Sequence, residues 1–131
     1  MTLREVLHAH IPTLTAESTV RDAVDKMDIY QFPGLVVVDD QERPIAVLTE
    51  GDLSRAVLGR GSVVQLTEEI AVSFASKDPV TASPDLEISE ALHLMLSRGL
   101  TLLPVEDQGR LYGVVLRVDL MQAMLIDAQP G

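Results

Sequence analysis

The segment LLPVEDQGRLYGVVLRVDL, Leu102–Leu120, decides the fold. An apolar run is followed by a polar turn, a second apolar run and an aspartate at what looks like a helix start. The same pattern stands earlier as LVVVDDQERPIAVLTEGDL, Leu35–Leu53. An offset of 67 pairs Val38 with Val105, Asp40 with Asp107, Gln41 with Gln108, Arg43 with Arg110 and Asp52 with Asp119. It also pairs Pro12 with Pro79 and Leu3 with Ile70. A fixed internal period is the mark of a duplicated structural unit.

Working outward, each copy carries the same order of elements. A short extended piece comes first, Pro12–Thr15 or Val80–Ala82. Next, Val20, Ala23, Val24 and Met27, and likewise Ile88, Ala91, Leu92 and Met95, recur at helical spacing. Ser18 or Thr19 supplies the first helix cap, and Ser83-Pro84-Asp85 starts the second helix. The runs Leu35–Val38 and Leu102–Val105 read as buried strands. Ile45–Thr49 and Leu111–Leu116 return across short turns as hairpin partners. Short helices follow at Asp52–Leu58 and Asp119–Leu125.

The expectation is an α/β (α+β) chain of two β-α-β-β-α repeats packed through their sheets about a pseudo-twofold axis. Its parts are repeat 1 (1–58), a connector expected to be helical over 63–75 (59–76), repeat 2 (77–127) and a tail (128–131). A unit of this size buries only a modest core alone, which favours intimate packing of the two.

Composition narrows the function. The formal net charge is −10, with ten Lys and Arg scattered along the chain. Phosphate backbones and anionic lipid need clustered cations, so no nucleic acid and no membrane is expected as partner. Aromatics are 3% with no Trp, which disfavours base stacking. With no Cys, disulfides and thiolate metal sites are excluded. MTLREVLHAHIP lacks a long apolar region, so no signal peptide is expected and a cytoplasmic location is the default.

Asp78–Leu125, and within it Leu102–Val115, closely resembles a cystathionine-β-synthase (CBS) domain. Pro12–Val57 resembles the same motif, with Val37 in place of the strand proline at Pro104 and Ala46 in place of Gly113. The pair resembles a Bateman module covering nearly the whole chain. The resemblance implies a regulatory module, commonly a homodimer. It would sense an adenosine-containing ligand such as AMP, ADP, ATP or S-adenosylmethionine, and would signal to an effector protein. It implies no enzyme and no tightly held cofactor.

It also assigns roles. Thr49 and Asp52 match the ribose hook: a carboxylate accepts both ribose hydroxyls, and a threonine donates or accepts beside it. At Asp119 the partner position is Leu116, which offers no hydroxyl. The residues alone leave a second reading open, in which Asp52 and Asp119 are helix N-caps. Family geometry places the base between repeats. The Asp52 site would use Ile45 and Val47 with Leu86, Ala91, Leu100 and Thr101. The Asp119 site would use Ser18, Ala23, Pro33 and Gly34. Arg55, Lys77, Arg98 and Arg117 are candidate phosphate contacts. The acidic chain favours ligands of low charge over ATP.

Other groupings carry less. His8 and His10 fall at a helix end or loop with poor metal geometry, so no metal is expected. His93 lies off the apolar stripe of its helix. Ser54, Ser73 and Ser97 lack a His and Asp constellation. Val24, Met27, Leu92 and Met95 are expected to line an interface. A separate reading is an interaction and dimerisation module whose ligand sites have degenerated.

Overall fold

The computed structural model describes residues 1–128, apart from the side chain of Val63. All but the first residue of the expected tail lies outside them. The chain divides into two compact units, each with its own core. One is Pro12–Pro79. The other joins Met1–Ile11 to the chain from Val80 onward. The units are therefore not the two sequence repeats: the opening residues complete the second repeat, and the connector completes the first.

In the Pro12–Pro79 unit, β1 (Thr13–Leu14), β2 (Gly34–Val38), β3 (Pro44–Thr49) and β4 (Ser76–Lys77) form one sheet in that order. β1 runs parallel to β2, and the other pairs are antiparallel. The β2 sequence GLVVV is buried throughout, which explains its unbroken β-branched run. β3 alternates: Ala46 and Leu48 point into the core, while Ile45, Val47 and Thr49 share the other face. Helices α1 (Val20–Tyr30) and α2 (Glu50–Arg60) lend Val20, Ala23 and Leu53 to the core.

The connector is helical only in the short α3 (Val63–Leu66), not over the expected 63–75. A 3-10 turn, Ala71–Phe74, and then β4 replace the rest. Leu66 and Ala71 are fully buried in the Pro12–Pro79 core, and the β4 backbone bonds the open edge of β3. Core and sheet edge both need this segment, which is why one long helix does not form.

The second unit repeats the plan. β5 (Leu102–Asp107) and β6 (Arg110–Leu116) form a hairpin, flanked by α4 (Ile88–Arg98) and α5 (Arg117–Asp127). Ala82 bridges Val105 in parallel, in the role of β1. His8 bridges Val114, as Ser76 bridges Val47. The bulge between Val37 and Val38 recurs between Val105 and Glu106. Opening residues thus lie as a strap over this unit. Leu3 in its 3-10 turn (Leu3–Glu5) is fully buried among Ile88, Met95, Leu103 and Leu120. Its amide donates to the Leu86 carbonyl at 3.0 Å. The bridges Thr2–Glu87 and Ile70–Thr19 make the true counterpart of Leu3 not Ile70 but Ala71. One extra residue in the later copy displaces the offset.

The expected interface stripe is corrected by these cores. Met95 is fully buried within its own unit, and Met27 and Leu92 pack against theirs. Met27 and Leu92 are partly buried, and Val24, 39% exposed, is the most open of the four. Helical spacing marks the inward face, and here that face is already used.

The hairpin turn after β2 is held by Asp39. Its Oδ1 accepts the Gln41 and Arg43 amides at 2.9 Å each, and its Oδ2 accepts Arg43 Nε at 2.8 Å. Hydrogen bonding from the Arg43 backbone is the largest cause holding the Asp39 carboxyl below its ordinary value. Its contribution to stability is therefore full above the ordinary carboxylate range. It is lost as pH falls through the depressed folded-state value. Asp39→Asn is expected to lower the urea midpoint at pH 7 and to lower it less at pH 3, where that contribution is already falling. An equal loss at both values would show that charge is not what the turn uses.

Candidate functional site

Each hook lies where a strand hands over to a helix. Thr49 ends β3 and is itself the N-cap of α2, with Asp52 at the third helical position. The Thr49 amide donates to Asp52 Oδ2 at 2.8 Å, and the Asp52 amide donates to Thr49 Oγ1 at 3.2 Å. This reciprocal pair is a capping box, and it satisfies two amides that a helix start leaves without partners. The expectation that Asp52 and Asp119 are N-caps is corrected. The helices begin at Glu50 and Arg117, and the caps are Thr49 and Leu116.

The same spacing serves as a cap elsewhere. At α1 the cap is Thr19 rather than Ser18. The Thr19 amide donates to Asp22 Oδ2 at 2.9 Å, and the Asp22 amide returns to Thr19 Oγ1 at 3.2 Å. These bonds from Thr19, backbone first, lower the Asp22 carboxyl. At α5 only half the box forms: the Leu116 amide donates to Asp119 Oδ2 at 2.8 Å, and the leucine side chain has nothing to accept with. At α4 the cap position is Glu87 with no side-chain bond, so Ser83-Pro84-Asp85 forms a turn ahead of the helix instead. Thr-x-x-Asp is thus a helix-start device first. A further role for Asp52 rests on its surroundings.

Those surroundings differ between the two carboxylates. Asp52 is 11% exposed, and its Oδ1 accepts Arg55 Nη2 at 2.6 Å. Asp119 is 19% exposed, and its Oδ2 meets His8 Nε2 at 2.9 Å. The sequence reading missed this second contact, because His8 and Asp119 lie 111 residues apart. Its only signal was the repeat itself, which sets His8 on the strand edge that Ser76 occupies in the other unit.

The remaining candidates fall as follows. Ile45 and Val47 share the sheet face of Thr49 and are partly buried. Leu86, Leu100 and Thr101 are partly buried in the other unit. Ala91 and Ala23, expected at the base, are fully buried in the cores of their own units and present no surface to a ligand. As the inner stripe of each helix, they are fixed by core packing. Gly34 is buried and pairs with Thr49, and the Pro33 carbonyl accepts the Glu50 amide at 2.9 Å. Within the Pro12–Pro79 unit, Pro33 and Gly34 therefore border Thr49, although they were expected at Asp119. The Ser18 hydroxyl accepts the Thr15 amide at 2.9 Å. Arg55, Lys77, Arg98 and Arg117 are exposed, and the last three sit on β4, the last turn of α4 and the first turn of α5. Among the described residues no acidic and histidine cluster suits a metal, and no helix is long and apolar enough to cross a membrane.

Comparison with known proteins gives a consistent picture. The CBS domain model matches residues 3–59 and 69–126. An uncharacterised protein of Methanopyrus kandleri is 32% identical over 90% of this chain, which spans 60% of that relative. An inosine-5′-monophosphate dehydrogenase of Methanocaldococcus jannaschii is 29% identical over 90% of this chain, which spans 22% of that enzyme. CBSX2 from Arabidopsis thaliana has the same fold, with a TM-score of 0.86 at 19% identity, covering 99% of this chain and 98% of that one. CBSX2 in complex with AMP matches with a TM-score of 0.81 at 19% identity, covering 98% of each chain.

Proposed function

This chain belongs to the CBS domain family, and on that premise we propose that it is a regulatory module binding one adenosine-containing nucleotide at Asp52. Thr49 and Asp52 take the ribose. Ile45 and Val47, on the face of β3 that Thr49 shares, line the base side of the site. The bound state alters how the module engages a separate effector protein. Such regulation requires the nucleotide to favour one arrangement of the module over another.

The observation that carries this reading is the placing of Asp52. It stands at 11% exposure, bonded to Thr49, whose face of β3 also carries the partly buried apolar residues Ile45 and Val47. A carboxylate has about four acceptor positions, so the cap and Arg55 leave room for hydroxyl donors. The AMP complex of CBSX2, a fold neighbour, supports an adenosine ligand. Asp119 is the poorer hook: Leu116 lacks a hydroxyl, and His8 engages the carboxylate. One ligand per chain follows.

The test is a thermal-shift and calorimetric series with AMP, ADP, ATP and S-adenosylmethionine on the native chain and on Asp52→Asn. The asparagine oxygen still accepts the Thr49 amide, so the helix start survives. A ligand at a hundred times its dissociation constant adds about 2.7 kcal/mol of stability. The native chain is expected to bind with a stoichiometry of one, and Asp52→Asn to weaken binding at least about tenfold, or 1.4 kcal/mol. No response to any of the four would overturn the reading.

A second reading, an interaction and dimerisation module, is favoured by α5. Val118, Met121, Leu125 and Ile126 are 64, 56, 63 and 55% exposed. The same positions of α2 hold Gly51, Ser54, Leu58 and Gly59. The α5 stretch Leu120–Ile126 carries no charge, in a chain of net charge −10. Two copies repel least there, so a second copy of this chain is the occupant it suits. Light scattering on the same samples reads this directly, with a dimer as the expected state.

A further inference from the structure

The Asp52 carboxylate is engaged on both oxygens. Oδ2 is committed to the Thr49 amide. Oδ1, the oxygen left to face a ribose hydroxyl, accepts the Arg55 guanidinium at 2.6 Å. Exposure is lopsided across this pair, 11% for Asp52 and 72% for Arg55. The carboxylate is fixed by its helix, while the arginine lies out in solvent and can be drawn elsewhere. Exposed ion pairs of this kind contribute little to stability, so stability is a weak reason for placing an arginine here.

Two internal comparisons sharpen the point. The carboxylates of the other two boxes, Asp22 and Asp119, have Asp25 and Gln122 at the position that Arg55 holds relative to Asp52. Of the three, only Asp52 has a cation three residues on; Lys26, four residues on from Asp22, donates instead to the Thr13 carbonyl at 2.8 Å. Gly51 matches this arrangement: a Cβ there would stand 3.4 Å from Arg55 Nη1. That is ordinary van der Waals contact, so the guanidinium lies directly against position 51 over the first turn of α2.

We propose that Arg55 sets the charge selectivity of the Asp52 site, making it a site for a phosphorylated nucleoside rather than for adenosine or a cationic sulfonium nucleoside. A ribose diol reaching Oδ1 must share that oxygen with the guanidinium or displace it. A neutral nucleoside offers the arginine nothing in exchange. A sulfonium ligand adds a like charge beside it. A phosphate on the same ribose offers the two parallel acceptors that a guanidinium fork matches best. Arg55 then moves from carboxylate to phosphate, freeing Oδ1 for the sugar as it clamps the anion. This refines the sequence-based expectation that any ligand of low charge is favoured.

The proposal rests on the nucleotide reading above, and calorimetry with AMP and adenosine separates the two. The proteins are the native chain, Arg55→Gln, Arg55→Lys and Asp52→Asn. The native chain is expected to bind AMP at least about tenfold more tightly than adenosine, the factor that 1.4 kcal/mol confers. Arg55→Gln is expected to bring the two within about threefold, with adenosine unchanged or tighter. It should also flatten the salt dependence of AMP binding, because screening acts on the lost charge. Arg55→Lys should recover part of the preference. Equal weakening of both ligands in Arg55→Gln, or no change in their ratio, overturns the proposal and leaves the reading standing. Failure of the native chain to bind either ligand overturns the reading and the proposal with it.

Discussion

Leu3→Ala is expected to lower the unfolding free energy by about 3 kcal/mol, the range for emptying a buried leucine site. The size of the effect is unusual for a position so close to a chain end, where fraying is the rule. Here the end is tied down. Leu3 is fully buried, its amide donates to Leu86, and the next amide donates to the Pro84 carbonyl at 2.8 Å. Its neighbours Ile88, Met95, Leu103, Val115 and Leu120 come from both helices and both long strands of the unit. They cannot all move in to fill the space. Urea unfolding should show a lower midpoint at unchanged slope, the pattern of lost stability without a change of cooperativity. A loss under about 1 kcal/mol would mean that the strap is not part of the cooperative core of this unit.

Gly113→Ala is the second large effect, and it acts on the same strap from beneath. A Cβ at 113 would lie 2.5 Å from the His8 carbonyl oxygen and 2.7 Å from Leu7 Cδ1. The leucine can turn aside. The carbonyl cannot easily do so, because it accepts the Val114 amide at 3.1 Å in the bridge that docks the strap. Overpacking of this kind costs about 1–3 kcal/mol, and more if the strap lifts and uncovers Leu3. The other unit provides the contrast. Its matching residue is Ala46, fully buried beside the β4 strand, where a methyl group is accommodated. Combining Leu3→Ala with Gly113→Ala tests the shared cause. If both act through the strap, the double variant loses clearly less than the sum of the two. Simple additivity would refute the coupling.

The two strong patterns were legible. Buried β-branched runs joined by short polar turns gave β2, β3, β5 and β6, and helical spacing gave α1 and α4, since periodicity follows directly from which face meets the core. The capping boxes were also within reach. Thr19-x-x-Asp22 and Thr49-x-x-Asp52 have the spacing of a hydroxyl cap answered by an acid three residues on, yet reading the acid as the cap put α2 two residues late, at Asp52 rather than Glu50. What could not be read was the strap. Leu3 is one apolar residue in a single 3-10 turn, too short for any period to show. β4 and the His8 bridge are equally brief, and both gain their order from strand edges far away in sequence. For the site, Thr49 and Asp52 were found through the motif. The partners of the carboxylates divide by distance: Arg55 is one helical turn from Asp52, whereas His8 reaches Asp119 only through the fold.

The interleaved division of the chain has a consequence for the order of assembly. Pro12–Pro79 is continuous, so everything its core needs emerges from the ribosome in one stretch. The other unit needs residues made before that stretch and residues made after it. Met1–Ile11 must wait, unpaired, while the whole intervening unit is synthesised, and the His8–Asp119 contact closes a loop of 111 residues. Contacts of long sequence separation form late and slowly. The strap, made ahead of the continuous unit, is therefore the later to find its place, and one half of this duplicated protein can fold before the other half is complete.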